Sequence, residues 1–186
     1  MRIYAAIQLA IQAHNKQIRK LDGDLYVAHP LEVGFMLAQE GLSEDVIIAG
    51  ILHDTVEDTS VTLADIASQF GDPVARLVEA CSEEDKTLPW QTRKEAMLRL
   101  MCNGLPRDIK MILLADKVSN LSSIQRNLAR MGPGLWACFN AGYDQQKWYF
   151  TEICKCMTDM KDTHFYEELC RLVNEVFGTG TVDIQV

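Results

Sequence analysis

The sequence predicts an all-α protein, a single bundle of about nine helices. Three observations predict it. Strand-type alternation of β-branched residues is nearly absent. Apolar residues recur at helical spacing over most of the chain. Gly and Pro fall between those helical windows as punctuation.

Residues 3–18 read as a first amphipathic helix, followed by a polar turn region over 19–28 with Gly23. His29-Pro30 opens a second helix, with Pro at a tolerated first-turn position, and Gly41 stops it. Ser43 is the N-cap expected for a third helix, to about Asp54. Its run Val46 to Leu52 is apolar on nearly every face and should lie at the centre of the bundle. Thr62 and Asp65 have the spacing of a capping box for a fourth helix ending at Gly71. Pro73 begins a fifth, to about Ser82, and 83–88 form a charged loop. Pro89 opens a helix that ends at Gly104, and Pro106 a long one, to about Arg130. After the Gly132-Pro133-Gly134 break, an aromatic-rich helix is expected over 135–160. Asp162 or Thr163 caps a last helix ending at Phe177-Gly178. Residues 1–178 thus read as one domain and 179–186 as a tail, either disordered or packed on a partner.

The chain has 186 residues, enough to bury a core without a disulfide or a structural metal. Its net charge is −8, from 18 Lys+Arg against 26 Asp+Glu. That balance argues against a nucleic-acid partner, because no basic field exists to hold phosphates along a strand. It leaves room for a small anionic substrate held by a few placed cations. Six cysteines sit beside apolar residues in helical patterns, so buried free thiols are expected. No apolar stretch approaches the ~20 residues needed to span a bilayer, so no membrane partner is expected. Gln8 and Gln12 interrupt the N-terminal apolar run, which reads as a helix rather than a signal peptide. A cytoplasmic location follows as the expectation, and a homo-oligomer is compatible with the sequence.

The informative residues are polar ones that do not belong in a core. His53-Asp54 ends the most apolar helix, where both are costly unless paired or metal-bound. On a continuous helix Glu57 falls beneath His53 and Asp58 beneath Asp54. Acidic groups at a helix C-terminus oppose the macrodipole and call for a cation. His29 and Asp116 complete an N₂O₂ set with His53 and Asp54, suited to Mn²⁺, Fe²⁺ or Zn²⁺ rather than Ca²⁺. The plainer readings are a solvated helix end, a satisfied core histidine and an Asp116 paired with Lys117. Asp116, Asn120 and Ser123 share a helix face, so the latter two could meet a ligand or simply face water. Arg19, Lys20, Lys86, Arg93 and Lys94 are cations clustered near these positions, each of which could equally be a solvated surface charge. His14 could orient Arg19 or a backbone group, or fill its helix face. His164 reads as surface.

These residues occur in recognisable strings. His29, His53-Asp54 and a distant Asp116 resemble the HD-domain metal-dependent phosphohydrolases. Within them, four strings resemble the hydrolase domain of RelA/SpoT proteins. These are His14-x-x-Gln17-x-Arg19-Lys20 with Tyr26-x-x-His29-Pro30, Leu52-His53-Asp54-Thr55-Val56-Glu57-Asp58-Thr59, Phe70-Gly71-x-x-Val74-Ala75, and Leu114-Ala115-Asp116-Lys117-x-x-Asn120-Leu121. Asp85-Lys86-Thr87-Leu88-Pro89 with Arg93-Lys94 resembles the single-domain branch, the small alarmone hydrolases. The resemblance covers about residues 5–125. Val118-Ser119 replace a bulkier pair common in the family, and the segment from Leu21 to Leu25 is unusually acidic. The C-terminal helices, 135–178, are only loosely similar.

The resemblance implies hydrolysis of the 3′-pyrophosphate of ppGpp or pppGpp to GDP or GTP plus pyrophosphate, with Mn²⁺ as the usual metal. It implies His29, His53, Asp54 and Asp116 as ligands and Glu57 and Asp58 as the catalytic acidic pair. It implies Arg19 against the guanine, and Lys20, Asn120 and Ser123 lining the nucleotide pocket. Lys86 is expected to meet the substrate. Two alternatives remain: an HD phosphohydrolase for another nucleotide, such as removal of the NADPH 2′-phosphate, or a non-catalytic nucleotide-binding regulator. Glu84 and Asp85 are further acidic residues expected near the site.

Overall fold

A computed structural model of the chain describes residues 1–21, 23–83, 86–178 and 180–182. The described residues form an all-α fold. The helices are α1 (Arg2–Ala13), α2 (Ala28–Gln39), α3 (Glu44–Leu52), α4 (Thr55–Asp58), α5 (Leu63–Phe70), α6 (Asp72–Cys81), α7 (Trp90–Cys102), α8 (Arg107–Met131), α9 (Tyr143–Cys156) and α10 (His164–Phe177). Each helical window expected from the sequence holds a helix, and the one-turn α4 is the addition.

The cap chemistry sets the starts. Ser43 accepts from the Val46 N–H, Thr62 and Asp65 form a reciprocal capping box, and Thr163 accepts from the Tyr166 N–H. Gly71 ends α5 with φ +90°, a conformation that side chains rarely adopt.

Four expectations are corrected. The first helix stops at Ala13, not 18. Lys16 takes φ +68°, and Ile18 pairs with Leu25 in an isolated antiparallel bridge. The segment 135–160 is not one helix. A 3₁₀ stretch over Gly132–Cys138 precedes α9, and another over Thr158–Met160 follows it. The third helix ends at Leu52, so His53 and Asp54 lie in a turn rather than on a continuous helix with Glu57 and Asp58. Finally, Cys102 and Cys156 are joined in a disulfide, whereas Cys81, Cys138, Cys154 and Cys170 are thiols. The two half-cystines end α7 and α9, which pack side by side, and this neighbourhood is invisible in their sequence spacing.

One apolar cluster joins the helices. Val46 to Leu52 of α3 are all buried, as the apolar run requires. The long α8, roughly 37 Å of axis, runs along α2, α3, α6 and α10. α2 and α3 approach closely because glycines face large side chains. A Cβ on Gly34 would collide with Ile51 Cγ1, and one on Gly50 with Leu37 Cδ1. This close packing sets the first turn of α2 beside the last turn of α3. It is what brings His29 to His53, whose rings lie edge-to-face at 5.3 Å.

Of the tail expected from 179, Thr179 and 183–186 lie outside the described residues. Val182 is tied back to α10, its N–H donating to Asn174 Oδ1 at 3.0 Å.

Candidate metal centre and adjoining cavity

Four side chains converge from α2, the α3–α4 turn and α8. His29 Nε2 lies 3.1 Å from Asp116 Oδ1 and 3.7 Å from Asp54 Oδ2. His53 Nε2 lies 3.2 Å from Asp54 Oδ2 and 3.7 Å from Asp116 Oδ1. Both histidines are buried. Two ligands about 2.1 Å from one metal, at 90–110°, lie roughly 3.0–3.4 Å apart. The two shorter of these four distances fall in that range and the two longer exceed it by about 0.3 Å. His29, His53 and Asp54 offer ligand atoms that all lie within 4.8 Å of one another, and Asp116 stands beside both histidines.

The tautomers support the same reading. His53 Nδ1 donates to the Gly50 carbonyl at 2.8 Å. His29 Nδ1 donates to Ser119 Oγ at 2.9 Å, and Ser119 donates to Glu32 Oε2 at 2.5 Å. With Nδ1 protonated, each Nε2 presents a lone pair to carboxylate oxygens that are also lone-pair donors. His53 Nε2 is accordingly buried with no hydrogen-bond partner. Acceptors aimed at acceptors need a cation between them, and a divalent metal fits this donor set. Without one, the carboxylates attract a proton. Burial pushes the His53 pKa down, but Asp54 and Asp116 more than offset it and hold it well above the usual value. Burial likewise raises the carboxyls, yet His53 and His29 hold Asp54, and Lys117 with the histidines holds Asp116, below the usual range.

Around this cluster the polar groups are layered. The single Tyr26 O–H donates to Asp54 Oδ2 at 2.6 Å, with Asp58 Oδ2 also within reach at 3.2 Å. Burial, and then Asp54, push its phenol pKa up, so it stays a donor. Lys117 donates to Asp116 Oδ2 at 2.5 Å, so the plain reading of Asp116 as its partner is true alongside the metal-facing one. Asn120 donates to Asp116 Oδ1. Glu57 and Asp58 stand at the rim, where Lys86 bridges them, 3.2 Å from Glu57 Oε1. The Glu83 N–H donates to Glu57 Oε2 at 3.2 Å. His14 orients a backbone group: its Nδ1 meets Gln17 Oε1 at 2.8 Å, and Gln17 donates to the Asp58 carbonyl at 2.9 Å.

A cavity of about 180 Å³ opens on Asp54, Glu57, Asp58 and Asp116. It shares Tyr26, Lys94, Lys117, Asn120 and Tyr149 with a larger one of about 360 Å³. That volume is within the range of small-molecule sites. Arg19 and Lys20 line its near side, and Arg19 Nη2 lies 3.4 Å from Asn120 Oδ1. Trp90 of α7, Phe139, and Gln146, Tyr149 and Phe150 of α9 line the far side. Lys94 and Lys117 stand 5.1 and 5.8 Å from the Tyr149 ring centre. The Tyr149 hydroxyl is buried and has no hydrogen-bond partner, and the residue lines both cavities.

The structure brings together His29, His53, Asp54, Asp116, Glu57, Asp58, Arg19, Lys20 and Asn120. Lys86 is engaged by the two rim carboxylates. Ser123 is buried one turn beyond Asn120, with Asn127 Nδ2 at 3.5 Å from its hydroxyl, and the cavity wall there is Asn120 and Ile124. Glu84 and Asp85 lie outside the described residues. His164 is exposed, as expected. The sequence reading assigned no role to Ser119, Glu32, Tyr149 or Trp90. Glu32 carried a usable signal, three residues after His29 on the same helix face.

A family model described as the HD domain matches residues 6–144. The chain belongs to the HD-domain family. Among the relatives, the human guanosine-3′,5′-bis(diphosphate) 3′-pyrophosphohydrolase is 37% identical over 139 residues, covering 73% of this chain and 74% of that protein. The bifunctional (p)ppGpp synthase/hydrolase SpoT of Escherichia coli is 38% identical over 128 residues, 66% of this chain and 18% of that protein. The chain spans 21–23% of the length of the GTP pyrophosphokinases it matches from Mycobacterium leprae and Streptomyces. Two solved structures share the fold. One is the crystal structure of lmo0812 from Listeria monocytogenes, 40% identical, covering 80% of this chain and 98% of that one, with a TM-score of 0.74. The other is a metazoan ortholog of SpoT that hydrolyses ppGpp, 27% identical, covering 95% and 93%, with a TM-score of 0.73. No described helix is long and apolar enough to cross a membrane.

Proposed function

We propose that this protein hydrolyses the 3′-pyrophosphate of (p)ppGpp, giving GDP or GTP plus pyrophosphate, with Mn²⁺ as its metal and residues 1–178 as one catalytic domain. The observation that carries this is the quartet of buried His29, His53 and Asp116 with half-buried Asp54, beside a cationic, aromatic-walled cavity. The relatives named for this reaction support the choice of substrate.

His29, His53, Asp54 and Asp116 hold the metal. When bound, the metal supplies Lewis-acid polarisation of the phosphoryl group and a more acidic water. Glu57 and Asp58, at the rim of the small cavity, orient the attacking water and take up its proton. Tyr26 keeps its own proton and holds Asp54 and Asp58 in register. Lys94 and Lys117 offset phosphate charge, and the Tyr149 hydroxyl gains a phosphate oxygen as its missing partner. Lys86 leaves the carboxylate pair for the substrate. Arg19 packs on the guanine with Trp90 and Phe139 around it, and Lys20 and Asn120 complete the nucleotide side, where Ile124 rather than the buried Ser123 forms the adjoining wall.

The test is turnover of a nucleotide panel (ppGpp, pppGpp, NADPH and a deoxynucleoside triphosphate) with added Mn²⁺, analysed for pyrophosphate against phosphate. Equimolar GDP and pyrophosphate from ppGpp is the expected result. Metal-loaded protein that leaves ppGpp intact and releases phosphate from NADPH would replace the substrate assignment.

A further inference from the structure

The two histidines of the quartet are oriented by different means. His53 donates to a backbone carbonyl of its own helix, that of Gly50. His29 donates to a side chain of another helix, Ser119 of α8, whose hydroxyl has one proton and gives it to Glu32 at 2.5 Å. Ser119 is 1% exposed, so water does not compete for this chain of bonds. The hydroxyl cannot donate to both neighbours, so the order Glu32 ← Ser119 ← His29 is fixed by chemistry. It keeps the proton on His29 Nδ1 and the lone pair of Nε2 toward Asp54 and Asp116.

We propose that Ser119 and Glu32 are positioning residues for the metal. The Glu32 carboxylate acts through the Ser119 hydroxyl to fix the tautomer and ring orientation of His29 as a ligand. Neither residue touches substrate in this account, and their effect is on metal affinity. Partners of this kind cost 10–100-fold in affinity when removed. The α2–α8 contact provides the relay through the hydroxyl at position 119, which an alanine there would remove.

This inference rests on the quartet being the metal centre, but not on the substrate. Its test is calorimetric titration of Mn²⁺ into metal-stripped full-length protein: wild type, Ser119→Ala, Ser119→Thr, Glu32→Gln and the Ser119→Ala/Glu32→Gln double variant. Melting of the metal-free proteins checks folding. Ser119→Ala should weaken Mn²⁺ binding about 10–100-fold, Ser119→Thr should retain affinity, and Glu32→Gln should weaken it by a smaller factor. The double variant should bind no more weakly than Ser119→Ala alone, because Glu32 acts through the hydroxyl. Turnover at saturating Mn²⁺ should stay near wild type. Wild-type affinity in Ser119→Ala overturns the proposal, as does an equal Glu32→Gln effect with and without Ser119. If Ser119→Ala does not fold, Glu32→Gln decides: unchanged affinity overturns the proposal. Wild type that binds Mn²⁺ with this ranking of variants but leaves ppGpp intact overturns the substrate reading and upholds the relay.

Discussion

Two walls face each other across the cavity, and they are held by different means. The α2–α3–α8 wall carries the quartet on buried helices that touch through glycine, with each histidine's proton placed by a named acceptor. The α7–α9 wall carries Trp90, Lys94, Gln146, Tyr149 and Phe150, packed ring against ring and tied at the far end by Cys102–Cys156. On the first wall a displacement of a few tenths of an ångström takes the ligand atoms out of the spacing that one metal requires. On the second, aromatic faces tolerate small shifts and changes of partner. Chemistry and substrate choice are therefore separable, and substitutions on the two walls should fail in different ways.

The largest effect should come from the rim of the first wall. Glu57→Gln should lower kcat by about 10²–10⁴-fold while leaving bound metal, measured by elemental analysis, unchanged. An unchanged rate would remove Glu57 from proton transfer. Next is the tie of the second wall. The disulfide closes a separation of 54 residues, and closing a loop of that size stabilises by up to about 4 kcal/mol. Cys102→Ser should lower the unfolding free energy in oxidising buffer and should match wild type when both are fully reduced. A smaller effect should follow from Tyr149→Phe, which removes the unpartnered hydroxyl. It should raise KM for ppGpp by about tenfold, near the value of one hydrogen bond to a charged group, with metal affinity untouched. A loss of metal affinity in that variant would show that the two walls are not independent.

The same division explains what was legible in the sequence. The first wall was readable because its chemistry is local: His53-Asp54 adjoin, Glu57 and Asp58 follow within a turn, and polar residues inside apolar runs stand out. Its helix caps, at Ser43, Thr62 and Thr163, were equally local. The break after Leu52 was missed because αR backbone runs through His53 and Asp54 without a Gly or Pro to mark it. The Ser119–Glu32 relay was missed because it joins positions 87 residues apart. The second wall was mostly hidden. Its aromatics sit on α7, a 3₁₀ segment and α9, and only tertiary packing places them in one cavity. The disulfide belongs to the same class: Cys154 and Cys156 are neighbours in sequence, but Cys156 pairs with Cys102 on the adjoining helix.

The central claim is that turnover depends on a metal held by His29, His53, Asp54 and Asp116. Asp54→Ala tests it most directly, with bound metal and ppGpp hydrolysis measured on the same folded preparation. The account predicts that metal content and pyrophosphate release are lost together. An Asp54→Ala protein that is free of metal yet still releases pyrophosphate at the wild-type rate would contradict it.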